Sequence, residues 1–237
     1  MKLVAFLAVL GLLAGCGADD HKPLTVYAAS SLTGVFEQLA PDARFNFAGS
    51  DELATQLREG AQADVYAAAS PRYPSDLFDE GVVEEPVVFA TNRLVIVVPS
   101  GNPAGVRELG DLAAPGVRLV IGGEGVPIGD YTRELLERAG RVDVLERVVS
   151  EEENVKGVLA KVALGEAEAG FVYATDVRSA GRDVVGIELP SDLQARIEYP
   201  VAVVRDARRG KEAQRFVELL RSSRGRAALL AAGFGLP

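Results

Sequence analysis

Short runs of β-branched and aromatic residues alternate with stretches of helical periodicity along almost the whole chain, and that alternation restricts the fold more than any other feature. Strand patterns fall at 24–28, 44–48, 64–68, 94–98, 117–121, 170–174 and 196–204, the last interrupted by Pro200. Helical spacing predicts helices at 31–39, 50–59, 74–78, 129–139, 154–164, 211–221 and 225–232. Gly165 suits the position just past the end of the fifth of these. Such alternation builds helix-covered sheets, so the expected class is α/β with mostly parallel strands. Leu94-Val95-Ile96-Val97-Val98 is continuously apolar, as a strand buried on both faces is. This run and 196–204 are natural places for the chain to cross between two lobes. The expected organisation is therefore a discontinuous first lobe, 24–90 plus 196–237, and a second lobe, 91–195.

Composition narrows the functions. Of 237 residues, 48% are hydrophobic and 25% charged, enough apolar material for a large core and too much for a disordered chain. Lys and Arg number 25 against 34 Asp and Glu, a formal charge of −9. No nucleic-acid partner is expected, because phosphate backbones need a basic face. One His argues against a His-centred catalytic site or a multi-His metal site, and one Cys excludes a disulfide scaffold.

The N-terminus carries an address. Lys2 precedes an apolar run at 3–13, broken only by Gly11, and then comes Leu13-Ala14-Gly15-Cys16. The run is too short to span a bilayer but fits a secretory signal. Small residues before Cys resemble a lipobox. Residues 1–15 are therefore expected to be a lipoprotein signal peptide, Cys16 the lipidated residue, and 16–23 a polar tether in which His21 is solvated. The expected location is the periplasm or the outer face of the cytoplasmic membrane, held by the lipid on Cys16. An ordinary signal peptide with Cys16 incidental is the plainer alternative.

Four strand-to-helix turns share a chemistry. They are Ala28-Ala29-Ser30-Ser31-Leu32-Thr33, Ala48-Gly49-Ser50-Asp51-Glu52-Leu53, the stretch from Gly122 to Tyr131, and the stretch from Ser150 to Gly157. A helix start offers unpaired N–H groups and partial positive charge, so it can hold an anion without Lys or Arg. In open α/β sheets such turns gather at the carboxyl ends of the strands, where ligands bind. Each turn also has a plain reading. Ser31 and Ser50 could be helix caps. Glu151, Glu152 and Glu153 read as a solvated first helical turn, and Tyr173 as a core or edge aromatic. The Gly-rich turn is neither a dinucleotide fingerprint, since Ile128 stands where the third glycine belongs, nor a P-loop, since no Gly-Lys-Ser/Thr follows.

Six segments together resemble the periplasmic molybdate-binding proteins (ModA-type) of ABC importers. They are VYAASSLT (26–33), FAGSDELATQL (47–57), ADVYAAAS (63–70), VPIGDYTRELL (126–136), ENVKGVLAKVALGEAEAGFVYATD (153–176) and EYPVAVV (198–204), in family order. The resemblance implies a two-lobed type II periplasmic-binding-protein-like fold with a ligand cleft between the lobes. It implies a tetrahedral oxyanion, molybdate or tungstate, held by the hydroxyls and N–H groups of Ser31 and Ser50, the N–H groups of Ile128 and Val155, and the Tyr173 phenol. These five residues would meet the metal oxyanion through its oxygens, with no direct ligation of the metal. The implied role is extracytoplasmic capture for an ABC permease, as a monomer, with no cofactor and no catalysis. Two departures stand out: the family often has Ala where Ile128 stands, and the connection at 38–45 is shorter than usual, which implies a truncated first helix or a rebuilt turn.

A dianion suits such a site. Charge-assisted hydrogen bonds contribute about 1.5–3 kcal/mol each, so several offset the desolvation of the anion. A donor-only site also rejects hydrogen phosphate, whose O–H needs an acceptor. Sulfate is aprotic at neutral pH, so its rejection rests on cavity size. The alternatives are the same fold binding another small oxyanion such as sulfate, a dehydratase-like enzyme using Asp130 or Glu124, or a structural or adhesion lipoprotein.

Overall fold

The structure is a computed structural model and describes residues 22–237. The expected signal peptide, Cys16, His21 and nearly all of the tether lie outside the described residues. In chain order the elements are β1 (Thr25–Ala29), a 3-10 turn (Ser30–Leu32), α1 (Thr33–Leu39), β2 (Arg44–Ala48), α2 (Ser50–Arg58), β3 (Val65–Ala67), α3 (Arg72–Asp79), β4 (Val87–Asn92) and β5 (Leu94–Pro99). After a 3-10 turn (Leu109–Ala113) come β6 (Leu119–Gly122), α4 (Pro127–Arg138), a 3-10 turn (Val142–Arg147), β7 (Val148–Glu152), α5 (Val155–Ala163), β8 (Ala169–Tyr173), α6 (Ala174–Ala180) and β9 (Val184–Glu188). Then follow β10 (Ile197–Val203), α7 (Gly210–Arg221) and α8 (Ser223–Ala232).

These strands form two five-stranded sheets, ordered β2-β1-β3-β10-β4 and β7-β6-β8-β5-β9. The expectation of mostly parallel sheets is corrected. β1 pairs β2 and β3 in parallel, and β6 pairs β7 and β8 likewise. β10 runs antiparallel to β3 and β4, and β5 antiparallel to β8 and β9. The cause is the exchange between sheets. The chain leaves the first sheet on β4, enters the second on β5 with only Arg93 between them, and returns on β10. Strands that arrive by such a crossing run against the βα units already in place. Pro200 sits at a register shift in β10, where its missing N–H is tolerated.

Side-chain alternation sorts strands β3 and β10 of the first sheet between two cores. Val26, Ala28, Val65, Ala67, Val201 and Val203 face the larger core with α1, α7 and α8. Tyr66, Ala68, Ala202 and Val204 face the smaller one with Leu53, Leu57 and Leu77 from α2 and α3. The period-2 pattern thus dictates that both faces are covered.

Several local expectations change. Glu151 and Glu152 end strand β7 rather than opening a helix, because Ser150, Glu151 and Glu152 pair with Val120, Ile121 and Gly122. Neither Ser31 nor Ser50 is a cap. Ser31 lies inside the 3-10 turn, and Gly49 occupies the cap position of α2. Strands β4, β7 and β9 and helix α6 carry no local signal strong enough to predict. The short connection after α1 is seen as a helix ending at Leu39 and a turn at 40–43 leading into β2.

Candidate functional site

The carboxyl ends of β1 and β2 in the first sheet meet those of β6, β7 and β8 in the second around one small cavity of about 20 Å3. That volume is room for at least one water-sized group. Its lining includes Ser31, Ser50, Ile128, Val155 and Tyr173, so all five sequence-predicted residues are brought together. Their side chains are buried.

Each helix start leaves donors at the cavity for a local reason. In α2, Leu53 N–H bonds back to Gly49 C=O and the Asp51 carboxylate accepts from the N–H groups of Asp51 and Glu52, which leaves the Ser50 N–H as the donor of this helix start at the cavity. In α4, Pro127 stands first and has no N–H, which makes Ile128 the first donor of the helix. In α5, the Asn154 side chain accepts from the N–H groups of Lys156 and Gly157 at 3.0 and 3.2 Å. That cap satisfies the second and third donors and leaves the first, Val155. Gly129 lets α4 start this close, because a Cβ there would overlap the Gly122 and Gly123 carbonyls.

The side chains add hydroxyls. Ser50 Oγ accepts from Ala69 N–H at 3.0 Å, and Tyr66 O–H donates to the Ser50 carbonyl at 2.7 Å. Ser31 Oγ and Tyr199 Oη are 3.0 Å apart. Tyr173 is 1% exposed, and its phenol oxygen has no hydrogen-bond partner among the described residues. Burial pushes this phenol well above the usual tyrosine range, so it keeps its proton and remains a donor. An unpartnered buried hydroxyl facing a cavity is a group awaiting a guest.

Two of the carboxylates near the mouth are neutralised by ion pairs. Glu151 pairs with Arg133 at 2.6 Å and Glu152 with Lys161 at 2.6 Å. Asp51 is half-buried beside Gly49, and burial raises its carboxyl pKa. Among the described residues no group of three or more His, Cys, Asp or Glu could hold a metal ion. The arrangement is a donor-lined pocket suited to an anion.

Bridges across the cleft were not foreseen. Tyr73 O–H, on α3, donates to the Gly125 carbonyl in the turn before α4. Gly49 lies so close to the Glu153 carbonyl that a Cβ would clash with it. Tyr73, Asn92 and Ala69 carry no sequence signal for these roles. Tyr199 lies in a quoted segment but looks like any strand aromatic.

The bacterial extracellular solute-binding protein family matches residues 24–235. The chain belongs to this family. The molybdate-binding protein ModA of Mycobacterium tuberculosis (strain H37Rv) is 34% identical to this solute-binding protein over 256 aligned positions, covering 99% of this chain and 97% of that one. ModA of Escherichia coli (strain K12) is 33% identical over 221 positions, 86% of each chain. Among solved structures, the periplasmic molybdate-binding protein of Azotobacter vinelandii superposes with a TM-score of 0.80 at 23% identity, covering 90% of this chain and 99% of that one. The sulfate-binding protein SubI from Mycobacterium tuberculosis H37Rv gives 0.75 at 18% identity, covering 90% and 86%. These structural likenesses establish the two-sheet α/β fold of periplasmic binding proteins. The family binds solutes and is not a family of enzymes, which sets the dehydratase-like alternative aside. Among the described residues no helix is long and apolar enough to cross a membrane.

Proposed function

We propose that this solute-binding protein captures molybdate or tungstate outside the cytoplasmic membrane and delivers it to the permease of an ABC importer. The observation that carries the reading is the cavity itself. Three helix starts, two serines and an unpartnered buried phenol converge on it from both sheets, with donors and no basic side chain in the lining. A doubly charged, proton-free tetrahedral anion is the guest that satisfies such a set. The resemblance to ModA proteins at 33–34% identity supports the choice of anion.

In this reading Ser31, Ser50, Ile128, Val155 and Tyr173 donate to the anion's oxygens, and no residue ligates the metal. The anion is cargo, and no cofactor takes part. The two sheets belong to two lobes, and a guest held by both draws them together. Cys16 carries the lipid that holds a monomer near its permease.

Isothermal titration of the chain beginning after Cys16 tests the proposal with molybdate, tungstate, sulfate and phosphate. The expected result is sub-micromolar binding of the first two, about −8 kcal/mol or better, with no heat from the others. Binding of sulfate in preference to molybdate would replace the ligand, and silence with all four would remove it.

A further inference from the structure

The Ser31 hydroxyl stands at the end of a hydrogen-bonded chain that starts on a backbone amide. Arg93 N–H donates to Asn92 Oδ1 at 3.0 Å. A backbone N–H can only donate, so this bond decides which end of the Asn92 side-chain amide is oxygen. Asn92 Nδ2 therefore faces the other way. It donates to Thr175 Oγ1 at 2.9 Å and, over a longer 3.4 Å, to Tyr199 Oη.

Tyr199 is fully buried, and among the described residues its hydroxyl bonds only with Asn92 and Ser31. Burial pushes its phenol well above the usual range, so it stays protonated. A phenol that accepts from Asn92 has one proton left to give, and the Ser31 oxygen is where it goes. Ser31, having accepted, keeps its own proton for the cavity it lines.

We propose that Asn92 and Tyr199 are positioning residues that hold Ser31 as a donor toward the bound anion. The proposal rests on the oxyanion reading and extends it from the residues that touch the guest to those that set their polarity. It gives the rejection of protonated anions a structural cause at Ser31, since a hydroxyl so held has its proton committed to the guest. Its placement adds a second consequence. Asn92 is the last residue of β4 before the chain changes sheets, and Thr175 lies on α6 beside the second sheet. The relay is thus anchored where the two halves meet.

Asn92→Asp separates polarity from packing. The two side chains have the same shape, but a carboxylate only accepts. It accepts a hydrogen bond from the Tyr199 O–H, Tyr199 then accepts from Ser31, and Ser31 meets the anion with a lone pair. Tyr199→Phe only removes the relay and leaves Ser31 free to turn. Reversal is therefore expected to cost more than removal: about tenfold or more in molybdate affinity for Asn92→Asp and about threefold for Tyr199→Phe.

Both variants are titrated with sodium molybdate alone and again in a Ser31→Ala background. If they act through Ser31, each changes affinity by less than about twofold in that background. Equal losses with and without Ser31, or Tyr199→Phe costing more than Asn92→Asp, would overturn the proposal in favour of simple packing or long-range repulsion. Thermal melts establish that each variant is folded, and should Asn92→Asp fail to fold, the Tyr199→Phe pair decides. If the unsubstituted protein binds sulfate or another tetrahedral anion instead, the same cycle is run with that anion. A protein that binds none of them defeats the oxyanion reading and this proposal together.

Discussion

Ser50 Oγ accepts a hydrogen bond from the backbone N–H of Ala69 at 3.0 Å, which leaves the serine proton free to donate into the cavity it lines. Ala69 follows β3, so the strand beside β1 orients a hydroxyl at the start of α2. Removing the oxygen has two consequences. The anion loses a donor, and a buried N–H loses its acceptor. Ser50→Ala is expected to weaken molybdate binding by about 1–3 kcal/mol and to lower unfolding stability by about 1–3 kcal/mol. Calorimetry and urea denaturation read the two separately, and wild-type affinity would take Ser50 out of the site.

Tyr173→Phe is expected to move the same two quantities in opposite directions. The phenol oxygen is buried and has no hydrogen-bond partner among the described residues. Deleting it relieves a desolvated hydroxyl, so the ligand-free protein gains about 1 kcal/mol or more. The anion loses a charge-assisted bond, so binding weakens by about 1.5–3 kcal/mol. In thermal melts the two curves therefore start further right and separate less on adding molybdate. A variant less stable without ligand would mean that the hydroxyl is satisfied internally.

The contrast between Ser50 and Tyr73 explains what the sequence makes legible. Ser50 follows a strand pattern and precedes a helical one, so its place at a helix start can be read locally. Ser31 likewise follows a strand pattern, whereas Ile128, Val155 and Tyr173 are named as ligands only through the family resemblance. Tyr73 is one more aromatic on a short amphipathic helix, and its partner is a carbonyl 52 residues away. The relay through Asn92 and Tyr199 spans 168 residues between Ser31 and its neighbour. Such pairings depend on how the two sheets face one another, which no local period encodes. Strand β7 was missed for a related reason. Its acidic residues suit a solvated surface, and only pairing with β6 makes them a strand. The antiparallel partners of β5 and β10 likewise follow from the crossing at Arg93, not from any pattern inside those strands.

Tyr73→Phe tests whether the contact across the cleft holds the halves together. Its hydroxyl donates to Gly125, which belongs to the turn opening α4. The nearby Arg72–Asp130 pair, at 3.6 Å with both side chains exposed, adds little because water screens it. Losing the tyrosine bond is expected to weaken molybdate binding by about 1 kcal/mol, expressed mainly as faster release. Stopped-flow dissociation measures this directly. Small-angle scattering should show a larger radius of gyration for the ligand-free variant than for the ligand-free parent. Unchanged release and scattering would reduce the contact to an ornament of the closed form.

Asp51 predicts a pH dependence whose sign is set by burial. Its carboxyl is half-buried with Oδ1 unpartnered among the described residues, and desolvation lifts its pKa above the ordinary 3.8 despite bonds from its own and the Glu52 N–H groups. A raised pKa means that the folded state binds the proton more tightly than the unfolded chain. The group's contribution is fully present below pH 3.8 and is lost as pH rises through the raised value. At neutral pH the folded protein therefore carries an ionised carboxylate it disfavours. Asp51→Asn is expected to raise the melting temperature at pH 7, and the gain should shrink on acidification and disappear below about pH 3.8, where both states of the parent are protonated. A gain independent of pH would point to packing, and a loss at pH 7 would mean that the start of α2 stabilises this charge more than burial penalises it.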